Sequence, residues 1–145
     1  MKDLTQKAFD FANKAHEGQL DDSGKPYFLT HCTQVAGLVT LTCPEDYNLI
    51  CAAYLHDVVE DCGFTYEELI KEFDQDIADL VMEVTHEGTN DNVGYYFPRL
   101  NTQRGIVLKF ADRMSNLSRM ECWNDKRQDQ YLRKSKFWKS NPTQS

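Results

Sequence analysis

Tyr54-Leu55-His56-Asp57-Val58-Val59-Glu60-Asp61 sets one imidazole and three carboxylates close together in an otherwise apolar run. Imidazole and carboxylate are natural protein ligands for a hydrolytic divalent metal. Neighbouring carboxylates also push their pKa values apart, so that one can take a proton while the other stays ionised. The pattern predicts a helix over residues 48–59. On such a helix His56 and Glu60 share one face, and Asp57 and Asp61 form a second pair four apart beside them. Burying these charges without partners is costly, and a cation would relieve the cost. A solvated helix end next to a core histidine is the other reading that this stretch allows by itself.

Two more residues bear on the choice. His31 opens a predicted helix, and Asp112 sits mid-helix among Phe110, Ala111 and Met114, where a partly buried carboxylate needs a partner. Helix packing could gather His31, His56, Asp57 and Asp112 into a two-His, two-Asp metal site with room for a water. Alternatively, Asp112 pairs with Arg113, Arg119 or another cation in a structural bridge.

The elements that must position these groups read as helices. Leu4 to His16 carries an apolar stripe of Leu4, Ala8, Phe11, Ala12 and Ala15, stopped by Gly18. Asp21 to Pro26 is a loop by composition. A second helix begins near His31, turns Val35, Leu38 and Val39 inward, and ends before Cys43-Pro44. After the His-Asp helix, Cys62-Gly63 breaks the chain, and Thr65 with Glu68 fits a capping box opening a short helix through Phe73. Ile77, Leu80, Val81 and Val84 suit another. Residues 86–98 form the longest irregular stretch, a candidate covering loop. From about Asn101 to Met120, Ile106, Val107, Phe110, Met114 and Leu117 predict a long helix, and Asp125 caps a last one holding Tyr131, Leu132, Ser135 and Trp138. No segment alternates as a strand would. The expected fold is a single compact all-α domain over residues 1–145, a bundle of about six to eight helices.

The totals narrow the function. At 145 residues, 41% hydrophobic and 27% charged, the chain has the make-up of one ordinary globular domain. A net charge of −7 argues against general nucleic-acid binding, yet leaves room for a local basic pocket for a phosphate substrate. No run of apolar residues is long enough to span a membrane, and Met1-Lys2-Asp3 begins no signal peptide. Five cysteines, none in a C-x-x-C unit, read as reduced, mostly buried thiols of a cytoplasmic protein.

His31, then His56-Asp57, then Asp112 is the ligand order of the HD superfamily of metal-dependent phosphohydrolases, which the chain resembles. More narrowly it resembles the alarmone-hydrolase branch, the hydrolase domains of RelA/SpoT homologues and their short single-domain relatives. The pieces that match are His16-x-Gly18-Gln19 with Gly24-x-Pro26-Tyr27, then His31, and Leu55-His56-Asp57-Val58-Val59-Glu60-Asp61. Val84-Thr85 and Lys109-x-Ala111-Asp112-Arg113-x-x-Asn116-Leu117 complete them. The resemblance implies one divalent metal per chain, typically manganese, on His31, His56, Asp57 and Asp112. It makes Glu60 and Asp61 the acid/base pair that activates water, and Asn116 a residue lining the nucleotide pocket, with Ser23 and Lys109 as further candidate substrate contacts. The implied reaction removes the 3′-pyrophosphate of guanosine tetra- or pentaphosphate, giving GDP or GTP and pyrophosphate. Action on another nucleotide (an adenosine alarmone, a nicotinamide dinucleotide phosphate or a deoxynucleotide) stays open, as does a non-catalytic nucleotide-binding or antitoxin-like module. Oligomeric state and a synthetase partner are likewise open.

The chain departs from the family in three places. Asp21 and Asp22 stand where the larger enzymes carry Arg-Lys, and a carboxylate cannot stack on a base as a guanidinium does. One residue more than usual separates Pro26-Tyr27 from His31, and Cys32 replaces a common proline. The 85–109 segment is shorter, and its Tyr95, Tyr96 and Arg99 are candidates for holding the base and phosphate in place of the missing arginine. His16 is expected to act as a hydrogen-bonder rather than a ligand.

Overall fold

A computed structural model describes residues 2–85 and 102–118. Helices α1 (Lys2–Ala15), α2 (Thr33–Thr42), α3 (Tyr47–Leu55), α4 (Val58–Cys62), α5 (Tyr66–Glu72), α6 (Gln75–Glu83) and α7 (Gln103–Leu117) follow in order. A π-helical turn, Phe28–Cys32, runs straight into α2. The all-α expectation holds, with no strand among the described residues, and none of their helices is long and apolar enough to cross a membrane. The final helix expected around Asp125 to Trp138 lies outside the described residues.

Local chemistry sets where the helices begin and end. Thr65 and Glu68 form the capping box read from the sequence, each side chain bonding the other's backbone N–H. Asp74 accepts from Ile77 N at 2.8 Å and Asp46 from Leu49 N at 3.2 Å, each a bond worth about 1 kcal/mol to its helix. Gly63 closes α4 at φ +80°, a left-handed conformation that a side chain resists.

The core is centred on α3. Leu49, Cys51, Ala52, Ala53 and Leu55 of that helix are fully buried, with Ala8 and Ala12 of α1 on one side and Ile77, Ala78 and Val81 of α6 on the other. Burying a leucine of this kind contributes about 1.5–3 kcal/mol. Edge-to-face contacts of Phe9 with Phe28 and Tyr54 lock the π-turn against α1 and α3. Arg104, at the start of α7, bonds both Asp46 before α3 (2.8 Å) and Asp76 of α6 (2.9 Å), pinning three helix starts together.

Two sequence expectations are corrected. The predicted helix over 48–59 is broken: α3 stops at Leu55 and α4 starts at Val58, so His56 and Asp57 lie at the junction rather than within one helix. On α7 the predicted apolar stripe is not the inward face. Ile106 and Phe110 are 37% exposed and Met114 54%, whereas Leu108, Lys109, Asp112, Arg113 and Ser115 are buried. Lys109, Asp112 and Ser115 find bonding partners inside, so polar pairing rather than hydrophobicity decides which face turns in.

Candidate metal centre

The break between α3 and α4 orients His56. Its Nδ1 lies 2.7 Å from the carbonyl oxygen of Ala53. A carbonyl only accepts, so Nδ1 carries a proton, and Nε2, which holds the lone pair whenever the ring is neutral, faces the interior. Asp57 takes up φ −104°, ψ 0° at the junction, and its own carbonyl still accepts from Asp61 N at 2.8 Å. The Asp57–Asp61 pairing read from the sequence therefore survives the break.

His31 arrives from the π-turn. Thr33 N donates to Phe28 O, one residue further back than in an α-helix. His31 Nδ1 meets Ser115 Oγ at 3.0 Å, and that hydroxyl donates to Gln34 Oε1 at 2.7 Å. With its hydrogen so committed, the hydroxyl accepts from His31, and the Nε2 lone pair of His31 also faces inward.

The two Nε2 atoms stand 3.2 Å apart. Asp112 Oδ1 lies 2.9 Å from His31 Nε2 and 3.2 Å from His56 Nε2. Asp57 Oδ2 lies 3.2 Å from His56 Nε2 and 3.6 Å from His31 Nε2. Four acceptor atoms thus converge, three of them (His31, His56, Asp112) mutually within 4.8 Å, with Asp57 joined through the imidazoles. Ligands held about 2.0–2.2 Å from one small cation stand roughly 3.0–3.5 Å apart, so these residues fit a divalent metal. The other oxygen of Asp112 accepts from Lys109 Nζ at 3.0 Å, so the bridge to a cation that the sequence allowed is formed on that oxygen, while Oδ1 faces the two imidazoles.

The groups of the site also act on one another's charge. Burial opposes charge on His56, but the Asp57 and Asp112 carboxylates outweigh it and hold its pKa well above the ordinary imidazole value. Burial likewise opposes ionisation of Asp112, yet the Lys109 ammonium and the two histidines keep it well below the carboxylate range. Lys109 itself is pulled down by burial, in part against the charge of Asp112. Asp61 is pushed up, by burial and then by the charge on Asp57, toward holding a proton.

Around this centre, Glu60 and Asp61 lie on α4 with part of each residue open to solvent, and the charge of Glu60 reaches Lys109. Asn116 lies one turn past Asp112 on α7, half-buried. Lys109 is buried with its ammonium on Asp112. Ser23 is exposed and its hydroxyl donates to Asp21 at 2.7 Å. Arg99 and Tyr96, like Tyr95 and His86, lie outside the described residues.

Sequence reasoning gave no role to Tyr27, Ser115 or Gln34. Tyr27 OH donates to Asp57 Oδ2 at 2.6 Å, and the sequence marked Tyr27 only as part of the Gly24-x-Pro26-Tyr27 piece. His16 is the hydrogen-bonder expected, 2.7 Å from Gln19 Oε1. Asp21 closes its loop, accepting from Ser23 N (2.9 Å), Ser23 Oγ, Lys25 N (2.9 Å) and Thr30 Oγ1 (2.8 Å). Cys32, Cys43, Cys51 and Cys62 are free thiols. A cavity of about 690 Å³ near Tyr66, Asp79, Glu83 and Arg104 includes none of the converging groups.

Comparison with known proteins gives this arrangement its context. The HD domain family matches residues 8–93. The chain is 33% identical over 134 residues to the guanosine-3′,5′-bis(diphosphate) 3′-pyrophosphohydrolase of Borreliella burgdorferi, covering 85% of this chain and 20% of that protein. It is 33% identical over 144 residues to the probable guanosine-3′,5′-bis(diphosphate) 3′-pyrophosphohydrolase of Synechocystis sp., covering 92% and 19%. The chain therefore spans about a fifth of the length of these curated relatives. Among solved structures, a metazoan ortholog of SpoT that hydrolyzes ppGpp superposes with a TM-score of 0.79 at 28% identity, over 92% of this chain and 82% of that one.

Proposed function

The chain belongs to the HD domain family, and from that premise we propose that it hydrolyses the 3′-pyrophosphate of guanosine tetra- or pentaphosphate. The products are GDP or GTP and pyrophosphate, with one manganese ion held by His31, His56, Asp57 and Asp112. The observation that carries this reading is the convergence of four acceptor atoms beside the Glu60–Asp61 pair. The metazoan SpoT ortholog, similar over most of both chains, supports the choice of substrate.

A bound divalent ion supplies Lewis-acid chemistry, lowering the pKa of water from 15.7 towards about 7 and neutralising phosphoryl oxygen charge. The chain's own residues do the rest. Glu60 and Asp61 divide the proton work, and the raised pKa of Asp61 suits it to receive the proton that water gives up. Lys109 holds Asp112 by its outer oxygen so that the inner one stays aimed at the centre. Asn116, one turn along the same helix, lines the nucleotide side, and Ser23, Arg99 and Tyr96 are the remaining candidate contacts. This reading sets the protein in the cytoplasm, where nucleotide substrate and reduced thiols belong.

A second reading, hydrolysis of a different nucleotide by the same centre, is favoured by one observation. Asp21 is fully engaged in its own loop, so it supplies no stacking group for guanine.

The test is release of pyrophosphate from guanosine tetraphosphate with manganese and with chelator, alongside Glu60→Gln and a panel of other nucleotides. Manganese-dependent GDP and pyrophosphate, reduced about 10²–10⁴-fold in Glu60→Gln with metal still bound, is the expected result. Full turnover by Glu60→Gln would remove its role. Turnover of another nucleotide alone would replace the guanosine substrate.

A further inference from the structure

The loop between α1 and the π-turn folds back on itself, and this brings two donors side by side. Leu20 and Pro26 form a short antiparallel bridge, and Tyr27 N donates to Gln19 O at 2.9 Å, so residues 19 and 27 face each other across the base of the loop. Their side chains reach one helix. Tyr27 OH donates to Asp57 Oδ2 at 2.6 Å, and Gln19 Nε2 donates to Asp61 Oδ2 at 3.3 Å. Asp57 caps the start of α4, and Asp61 lies four residues on, near its end. Two paired loop positions therefore grip two paired carboxylates.

The Gln19 amide has a fixed sense. Its nitrogen faces the Asp61 carboxylate, an acceptor when ionised, and its oxygen lies 2.7 Å from His16 Nδ1, which donates to it in the tautomer protonated there. His16 is 3% exposed at the end of α1 and is boxed in by Cys62 Sγ at 3.4 Å. The loop is itself stiffened by the four bonds to Asp21. The grip on α4 thus rests on a rigid base, from α1 through His16 and Gln19 to Asp61.

We propose that Gln19 and Tyr27 act as a two-jawed clamp of positioning residues, Tyr27 fixing the metal-binding edge of Asp57 and Gln19 fixing Asp61 for proton transfer. The Gln19 half rests on the function proposed above, because it assigns Asp61 a part in the reaction; the Tyr27 half needs only the metal centre. The two jaws have separable effects. Loss of Tyr27 OH frees a ligand carboxylate and weakens metal binding, whereas loss of the Gln19 amide leaves the ligands in place and lowers turnover.

Gln19→Glu separates the jaw from its base. The carboxylate still accepts from His16, preserving the anchor, but presents Asp61 with an acceptor instead of a donor. The experiment measures manganese affinity by calorimetry, kcat and KM for pyrophosphate release from guanosine tetraphosphate, and thermal melting, for wild type, Gln19→Glu and Tyr27→Phe. The expected pattern is a kcat loss of about tenfold or more in Gln19→Glu with KM, metal affinity and melting near wild type. Tyr27→Phe should lose about 10- to 100-fold in manganese affinity, with kcat largely restored at saturating metal. A merely structural glutamine would tolerate Gln19→Glu, so wild-type kcat in that variant overturns its jaw. Wild-type affinity in Tyr27→Phe overturns the other. If wild type binds manganese but releases no pyrophosphate, the proposed function fails by itself, and the calorimetry of Tyr27→Phe alone then upholds or overturns the clamp.

Discussion

Ser115→Ala is the most telling perturbation of the metal centre, because it changes a residue that touches no metal. His31 presents a lone pair inward only while Ser115 Oγ accepts its Nδ1–H at 3.0 Å and Gln34 takes the hydroxyl proton at 2.7 Å. Without the hydroxyl the buried Nδ1–H loses that acceptor, a loss of about 1–3 kcal/mol. The imidazole can escape by moving its proton to Nε2, where Asp112 Oδ1 waits 2.9 Å away. That tautomer sets an N–H where a ligand atom is needed. Metal binding must reverse the change, so manganese affinity should fall about 10- to 100-fold, or ~1.4–2.7 kcal/mol. Calorimetric titration at one pH measures it directly. Gln34→Leu should weaken binding less, since Ser115 keeps a lone pair for His31. Affinity in Ser115→Ala within about twofold of wild type would refute the argument that this relay sets the tautomer.

Three other outcomes are expected. Gly105→Ala should lower the urea midpoint. An added Cβ would lie 2.2 Å from Glu83 Oε1, displacing the carboxylate that bonds Thr102 at the start of α7. Overpacking costs about 1–3 kcal/mol against about 1 kcal/mol of helix propensity gained, and an unchanged midpoint would refute this. Arg104 holds Asp46 and Asp76 below the usual carboxylate range, so their contribution to stability is present above the unfolded pKa, near 3.9, and is lost as pH falls through the lower folded values. Arg104→Gln should therefore be less stable at pH 7 and lose less on acidification than wild type; parallel urea midpoints for the two proteins across pH 7 to 3 would count against it. Asp21→Arg should raise amide exchange at Ser23 and Lys25 without improving alarmone affinity; unchanged exchange would mean that the loop does not depend on Asp21.

The helices were legible where local rules govern them. Thr65 and Glu68 announced a capping box, and Leu4 to Ala15 an amphipathic helix, because caps and periodicity act over four residues. The break after Leu55 was not legible, since an unbroken apolar pattern continues through it and the turn serves the bond from His56 to Ala53 O. The inward face of α7 was misread for a related reason. Hydropathy ranks Phe110 and Met114 above Lys109 and Ser115, and that order is reversed by polar partners, Asp112 for Lys109 and Gln34 and His31 for Ser115. The residues of the centre were visible as types in order along the chain. The partners that orient them were not, because Ser115, Gln34 and Tyr27 are chemically ordinary and act only through bonds made across 81 and 30 residues of sequence.

The π-turn at Phe28–Cys32 also bears on how this chain tolerates change in length. Inserting one residue into an α-helix rotates everything beyond it by roughly 100°. Such a rotation at the head of α2 would swing His31 off its target and turn Val35 and Val39 out of the core. A π-turn holds one residue more than an α-turn, and the screw of α2 continues in phase beyond it. Deletion of the solvent-facing Leu29 should hand back an ordinary α-turn with His31 still in register with α2.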